Sequence, residues 1–256
     1  MTQKFTAHVP KAAPAAALHR SVLATLPNHF DVVGSSNADA VLIDGFSVER
    51  HISARVLVLD GLPSAALSLT PSSIVVPAHQ FAPRLLADKN FAAARAIPFS
   101  LINIEVDTAR PDDDLLPRAL LEQLAAVRLL ASGAPRLTSV ERCGRGFVAT
   151  GTVAGRDIWV TLTSFPSPVG AAKLSLAAVS PTHRLRVDVD ATAIARPAAI
   201  RLLGPDGSVE GIQVYQNSHR LTWLKVHELL SSPTAGVELS VGDVNEDLET
   251  VHEWLP

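Results

Sequence analysis

The sequence contains one cysteine, one methionine and one tyrosine, and aromatic residues make up only 5% of it. The lone Cys143 excludes an internal disulfide and fits a reducing compartment. An excess of positive charge is also missing. The 22 Lys and Arg stand against 25 Asp and Glu, a formal net charge of −3. Without a basic field, neither nucleic acid nor an anionic membrane surface is an expected partner. No apolar run reaches the ~18–20 residues of a membrane span. The alanine-rich stretch 12–18 is short, contains Pro14 and lacks a cleavage pattern, so it does not read as a secretory leader. A cytoplasmic protein is the expectation. What the sequence does have is apolar material, 47% hydrophobic against 18% charged residues, ample for one large or two modest cores.

The stretch 111–135, PDDDLLPRALLEQLAAVRLLASGAP, organises the rest. Asp112, Asp113 and Asp114 offer N-cap oxygens and negative charge at the positive end of a helix dipole. Gly133 and Pro135 read as a left-handed C-cap and a breaker. Only Arg118, Glu122, Gln123 and Arg128 interrupt the apolar run, so this helix is expected to be buried around most of its circumference.

Before this helix, short apolar runs alternate with helical segments. Residues 5–9, 30–33, 40–43, 55–59 and 74–76 read as strands, and 15–26 as a helix with Leu18, Val22 and Leu26 on one side. That order implies a parallel sheet. The turn from the first strand into the helix holds Pro10, Lys11, Ala12, Ala13 and Pro14, with no glycine. A phosphate loop needs glycines so that the backbone can approach a pyrophosphate, and proline removes an N–H that would serve it. After the long helix, residues 137–142, 147–153, 158–163, 173–179, 185–189, 199–203 and 209–215 read as strands, with tight-turn signals at 154–156 and 204–207. Such an antiparallel sheet buries one face and leaves the other free, and a free apolar face commonly serves as an oligomer interface. Residues 219–230 form an amphipathic helix with Leu221, Leu224 and Leu229 on one side, and 242–254 a final acidic helix capped by Asp243 or Asn245.

The nine histidines show no metal-binding pattern. His8, His19 and His29 lack the i, i+4 spacing of a helical ligand pair, and His219 and His227 lie two turns apart, so all read as surface histidines. Asp188 and Asp190 read as solvated acids at a strand end, Cys143 as an inert thiol, and Trp159, Trp223 and Trp254 as core or interface anchors.

Several local motifs, taken in order, resemble the Gfo/Idh/MocA oxidoreductases. NADAVLI at 37–43 resembles the family's DADAVLI strand, RVLVL at 55–59 its KHVLVEKP strand, and AHQFAP at 78–83 its NxRFxP segment. Residues 115–135 resemble the helix between its DxGxH and GxP motifs, 137–142 the strand after that, and 207–216 its late GxxGxxxV hairpin. The resemblance implies an α/β plus α+β chain: a truncated Rossmann-like parallel sheet, then a C-terminal domain with a large open, mainly antiparallel sheet. It places the domains at 1–77 and 78–256, with helices 219–230 and 242–255 in the second. It further implies NAD- or NADP-dependent chemistry on a sugar or polyol.

The departures fall on the chemistry. The glycine-rich loop is absent, and there is no room between Val33 and Asn37 for the usual helix and strand. Asp60, Gly61 and Leu62 stand where the family has its catalytic lysine, Leu121 and Glu122 where it has its histidine, and Gln80 where it often has arginine. The leading expectation is therefore an accessory subunit that binds no dinucleotide. Its open sheet would pair with itself or with an active paralogue. The alternatives are an enzyme using Glu122 and Asp60, with NAD(P) or without a cofactor, and a module that binds a sugar-like molecule. No metal is expected.

Overall fold

A computed structural model describes residues 3–11, 15–35, 37–43, 54–63, 73–78, 81–109, 115–167, 172–191, 197–211, 213, 215–232 and 239–255. The described chain forms two compact units, 1–83 with 218–249 and 84–217 with 250–256.

The first unit is built on five parallel strands, β1 (Phe5–His8), β2 (Phe30–Val33), β3 (Ala40–Ile43), β4 (Val56–Leu59) and β5 (Ile74–Pro77), in the order β2-β1-β3-β4-β5. β3 and β4 are buried at every position, which is why AVLI and VLVL are apolar without alternation. Helix α1 (Ala16–Ala24) buries Ala16, His19, Val22 and Leu23. Of the expected face, Val22 and Leu26 are buried, but Leu18 is exposed and His19 turns inward instead.

The second unit holds helices α2 (Ala82–Leu86) and α3 (Lys89–Ala94), strand β6 (Leu101–Thr108), helix α4 (Leu115–Ala131) and strands β7 (Pro135–Cys143), β8 (Gly146–Val153), β9 (Trp159–Pro166), β10 (Ala172–Val179), β11 (Arg184–Ala191), β12 (Ala199–Gly204) and β13 (Gly207–Glu210). Its eight strands run in the order β13-β12-β11-β10-β6-β9-β8-β7. Neighbours are antiparallel except β6 and β9, which pair in parallel. The sequence reading missed β6, and with it the central position that makes the sheet mixed. The last expected strand, 209–215, shrinks to the hairpin β13.

Helix α4 lies on β6, β7, β8 and β9, and every residue from Ala119 to Ala131 is buried, as its composition demanded. Gln123 ties the helix to the sheet, donating through Nε2 to the Ile104 carbonyl at 3.2 Å and to the Thr163 carbonyl at 2.6 Å. The aspartates expected to cap α4 lie outside the described residues. Its left-handed terminal residue is Ser132, with φ 51°, not Gly133. Gly133 answers a different need: a Cβ there would come within 2.7 Å of Val153.

Two helices close the chain, α5 (Ser218–Ser231) and α6 (Val241–Trp254). They were expected in the second domain, yet α5 and the greater part of α6 belong to the first unit. The reason lies in α5, where Trp223, Val226, Leu229 and Leu230 enter one core with Phe5, Leu23, Phe30, Leu42 and Val58. The buried face is set by Trp223 and Val226, while Leu221 and Leu224 are only partly buried.

Candidate functional site

Asp60 is the first residue after β4, at the carboxyl edge of the parallel sheet, and it is 7% exposed. Two histidines converge on it from the N-terminal turns of separate helices. His19 of α1 is wholly buried, with Nε2 at 2.9 Å from Asp60 Oδ2. His219 of α5 is 21% exposed, with Nε2 at 3.6 Å from the same oxygen, and its ring meets that of His19 edge-on at 4.9 Å. Trp223, one turn further along α5, donates its indole N–H to His19 Nδ1 at 3.0 Å.

That last bond settles the proton positions. An indole nitrogen only donates, so His19 Nδ1 must carry its lone pair. The proton of neutral His19 is then on Nε2 and is donated to Asp60. The same logic bears on metal binding. His19, Asp60 and His219 bring three ligand atoms within 4.8 Å of one another. A metal at His19 Nε2 would require the proton on Nδ1, facing the Trp223 N–H donor. The donor set does not fit a cation.

The other expected catalytic residue, Glu122, belongs to the second unit and not to this cluster. It is buried, and the Nε of Arg118 lies 3.5 Å from its Oε1. The structure thus surrounds Asp60 with chemistry and places Glu122 beside a cation on its own helix. Sequence reading took His19 and His219 for surface residues. The available signal was helical spacing, since His19 is three residues from both Ala16 and Val22.

The eight-stranded sheet carries a second candidate, its exposed face. Residues alternate cleanly along β6, with Leu101, Asn103 and Glu105 out and Ile102, Ile104 and Val106 in. Trp159 is 60% exposed and sits opposite Leu101, which is 41% exposed. Along the same face Lys173 lies opposite Asp107 and Asp190 and pairs with Asp188 at 2.9 Å. The Asp188 hydrogen bond holds the Lys173 ammonium above its ordinary pKa. Burial alone would push Asp188 up, but hydrogen bonds from Lys173 and Ser175 outweigh it and bring it down. Arg201 and Glu210 form another ion pair beside a groove of about 310 Å³ that Arg186 and Gln213 also line.

No family model and no curated sequence matches the chain. Solved structures do. A UDP-N-acetylglucosamine 3-dehydrogenase from Acidithiobacillus ferrooxidans superposes with TM-score 0.62 over 98% of this chain and 97% of its own, at 8% identity. The fold is that of the Gfo/Idh/MocA-type oxidoreductases. A 3-ketoreductase from Actinomadura kijaniata, solved with NADP and TDP-benzene, matches with TM-score 0.55 over 98% and 97% at 10% identity. The transcriptional regulator Gal80p from Kluyveromyces lactis matches with TM-score 0.61 over 99% and 92% at 8% identity. One fold therefore serves reductases and a regulator, and the site must decide between such roles.

Proposed function

We propose that this chain is an oxidoreductase-like subunit that assembles through the exposed face of its eight-stranded sheet and does not itself transfer hydride. The partner is a second copy of the chain; an active sugar-oxidoreductase relative is the alternative. The carrying observation is that face: a large sheet whose outward positions mix the exposed Trp159 and Leu101 with charges of both signs. On that face Lys173 pairs with Asp188 within the chain, which leaves the exposed Trp159 and Leu101 as the apolar surface for a second copy to cover.

The carboxyl edge of the parallel sheet supports the second half of the reading. In the order β2-β1-β3-β4-β5 the topological switch lies between β1 and β3, where doubly wound folds hold a dinucleotide. The chain leaving β1 passes through Pro10, which has no N–H to give, and α1 begins after Ala15 with no side-chain cap. Between Leu59 and Pro63, where the resemblance calls for a lysine, the chain has Asp60, Gly61 and Leu62, and none of them supplies an ammonium. These residues do not fit a nicotinamide dinucleotide.

Light scattering of the purified protein tests the reading. It is expected to form a dimer that Trp159→Lys converts to monomer with the fold intact by circular dichroism. A monomer at all concentrations, or micromolar NADH or NADPH binding, contradicts it. One observation favours the rival reading, an enzyme acting on a sugar- or polyol-like substrate: the His19–Asp60–His219 cluster, in which two buried groups meet a partly exposed histidine.

A further inference from the structure

The three hydrogen-bonding side chains at the end of β4 have a fixed polarity. The Trp223 indole occupies the His19 Nδ1 lone pair, His19 gives its Nε2 proton to Asp60, and Asp60 is held from behind. The same carboxylate oxygen faces His219 Nε2 at 3.6 Å, a separation that a small tightening converts to a hydrogen bond. A carboxylate there favours the proton on Nε2 of His219 and leaves the lone pair on Nδ1. Nδ1 has no partner among the described residues, and the ring is 21% exposed. The place is also apt, because strand carboxyl ends flanked by helix N-termini are where such sheets take ligands.

From this we infer that His219 is the general base of a proton-transfer site, with Asp60 orienting it and His19 and Trp223 as positioning residues. The ligand is a neutral molecule with an acidic O–H or N–H. The proton passes from the donor atom to His219 Nδ1, the bonding electron pair stays on the donor, and the imidazolium charge rests against Asp60. The Asp60 carboxylate oxygen that both histidines face disfavours an anionic ligand at the same place. The inference is independent of assembly: it uses residues of the first unit, and the exposed sheet face belongs to the second.

Diethyl pyrocarbonate tests it, because this reagent acylates an unprotonated imidazole nitrogen. Rates at each histidine are read by peptide mass spectrometry, with the exposed His252 of α6 as internal reference. His219 is expected to react faster than His252 despite its lower exposure. Asp60→Asn should slow His219 about tenfold by removing the orienting charge, and leave His252 unchanged. Should Asp60→Asn fail to fold, Trp223→Phe keeps the aromatic packing and removes only the N–H. It should release His19 from its single tautomer in long-range ¹H–¹⁵N spectra and slow His219 as well. His219 reacting no faster than His252, or unchanged in the folded variants, overturns the inference.

Discussion

Single residues in this chain are set by what they touch. Gly151 sits beside the register shift between Leu137 and Ser139 in β7, and a Cβ there would run into the Arg136 carbonyl. Gly151→Ala is therefore expected to cost about 1–3 kcal/mol in chemical denaturation, as overpacking does. Gly144→Ala is a weaker comparison: it meets no neighbour, though its φ of 60° carries a strain of its own. His29 gives a pH prediction. Burial, then the neighbouring His227 and Arg220, hold its imidazole below the ordinary 6.5. Its folded form resists the proton that the unfolded chain accepts. Its contribution is thus fully retained above 6.5 and is lost as pH falls below that value toward the folded pKa. Thermal melts should drop between pH 7.5 and 5.5, and His29→Gln should shrink that drop. The roles of His19 and His219 were hidden at this scale, because a histidine on an apolar helix face and one on a surface carry the same letter.

Elements were legible where their pattern was local. The five parallel strands announce themselves as short apolar runs, and α4 by its composition. β6 did not, because IPFSLINIEVDT pairs an alternating pattern with a lead-in that resembles a loop, and its place in mid-sheet comes only from β9 and β10 on either side. The placement of α5 was illegible for a similar reason. Its amphipathic pattern showed that a face is buried, but not which core receives it. Trp223 decides that by entering the core of the first unit, where it also meets Phe30 edge-on with centroids 5.3 Å apart. Trp223→Ala is expected to cost about 3–5 kcal/mol, as aromatic deletions in cores do, and to expose α5 amides to hydrogen exchange. On α4, Gln123→Leu removes both donations to Ile104 and Thr163. A loss of about 1–3 kcal/mol is expected, the desolvation cost of carbonyls left without their partner.

For the molecule as a whole, the described structure carries the fold of the Gfo/Idh/MocA-type oxidoreductases over nearly its full length. Fold class and the two-sheet architecture were readable from the order of runs and turns. Which helices complete which unit was not, because that depends on contacts between residues some two hundred positions apart, such as Trp223 with His19. The same distance hid the cluster at Asp60: three of its four members come from separate segments, and only the fold brings them together. If the sheet face is the working surface, charge and apolar changes on it should alter assembly and leave the first unit's stability alone. Native mass spectrometry of the untagged protein from its own host asks this most directly. The expected result is a dimer, or a complex with a larger relative, in which this chain carries no nucleotide. A monomer, or any assembly in which this chain itself retains NAD or NADP, contradicts it.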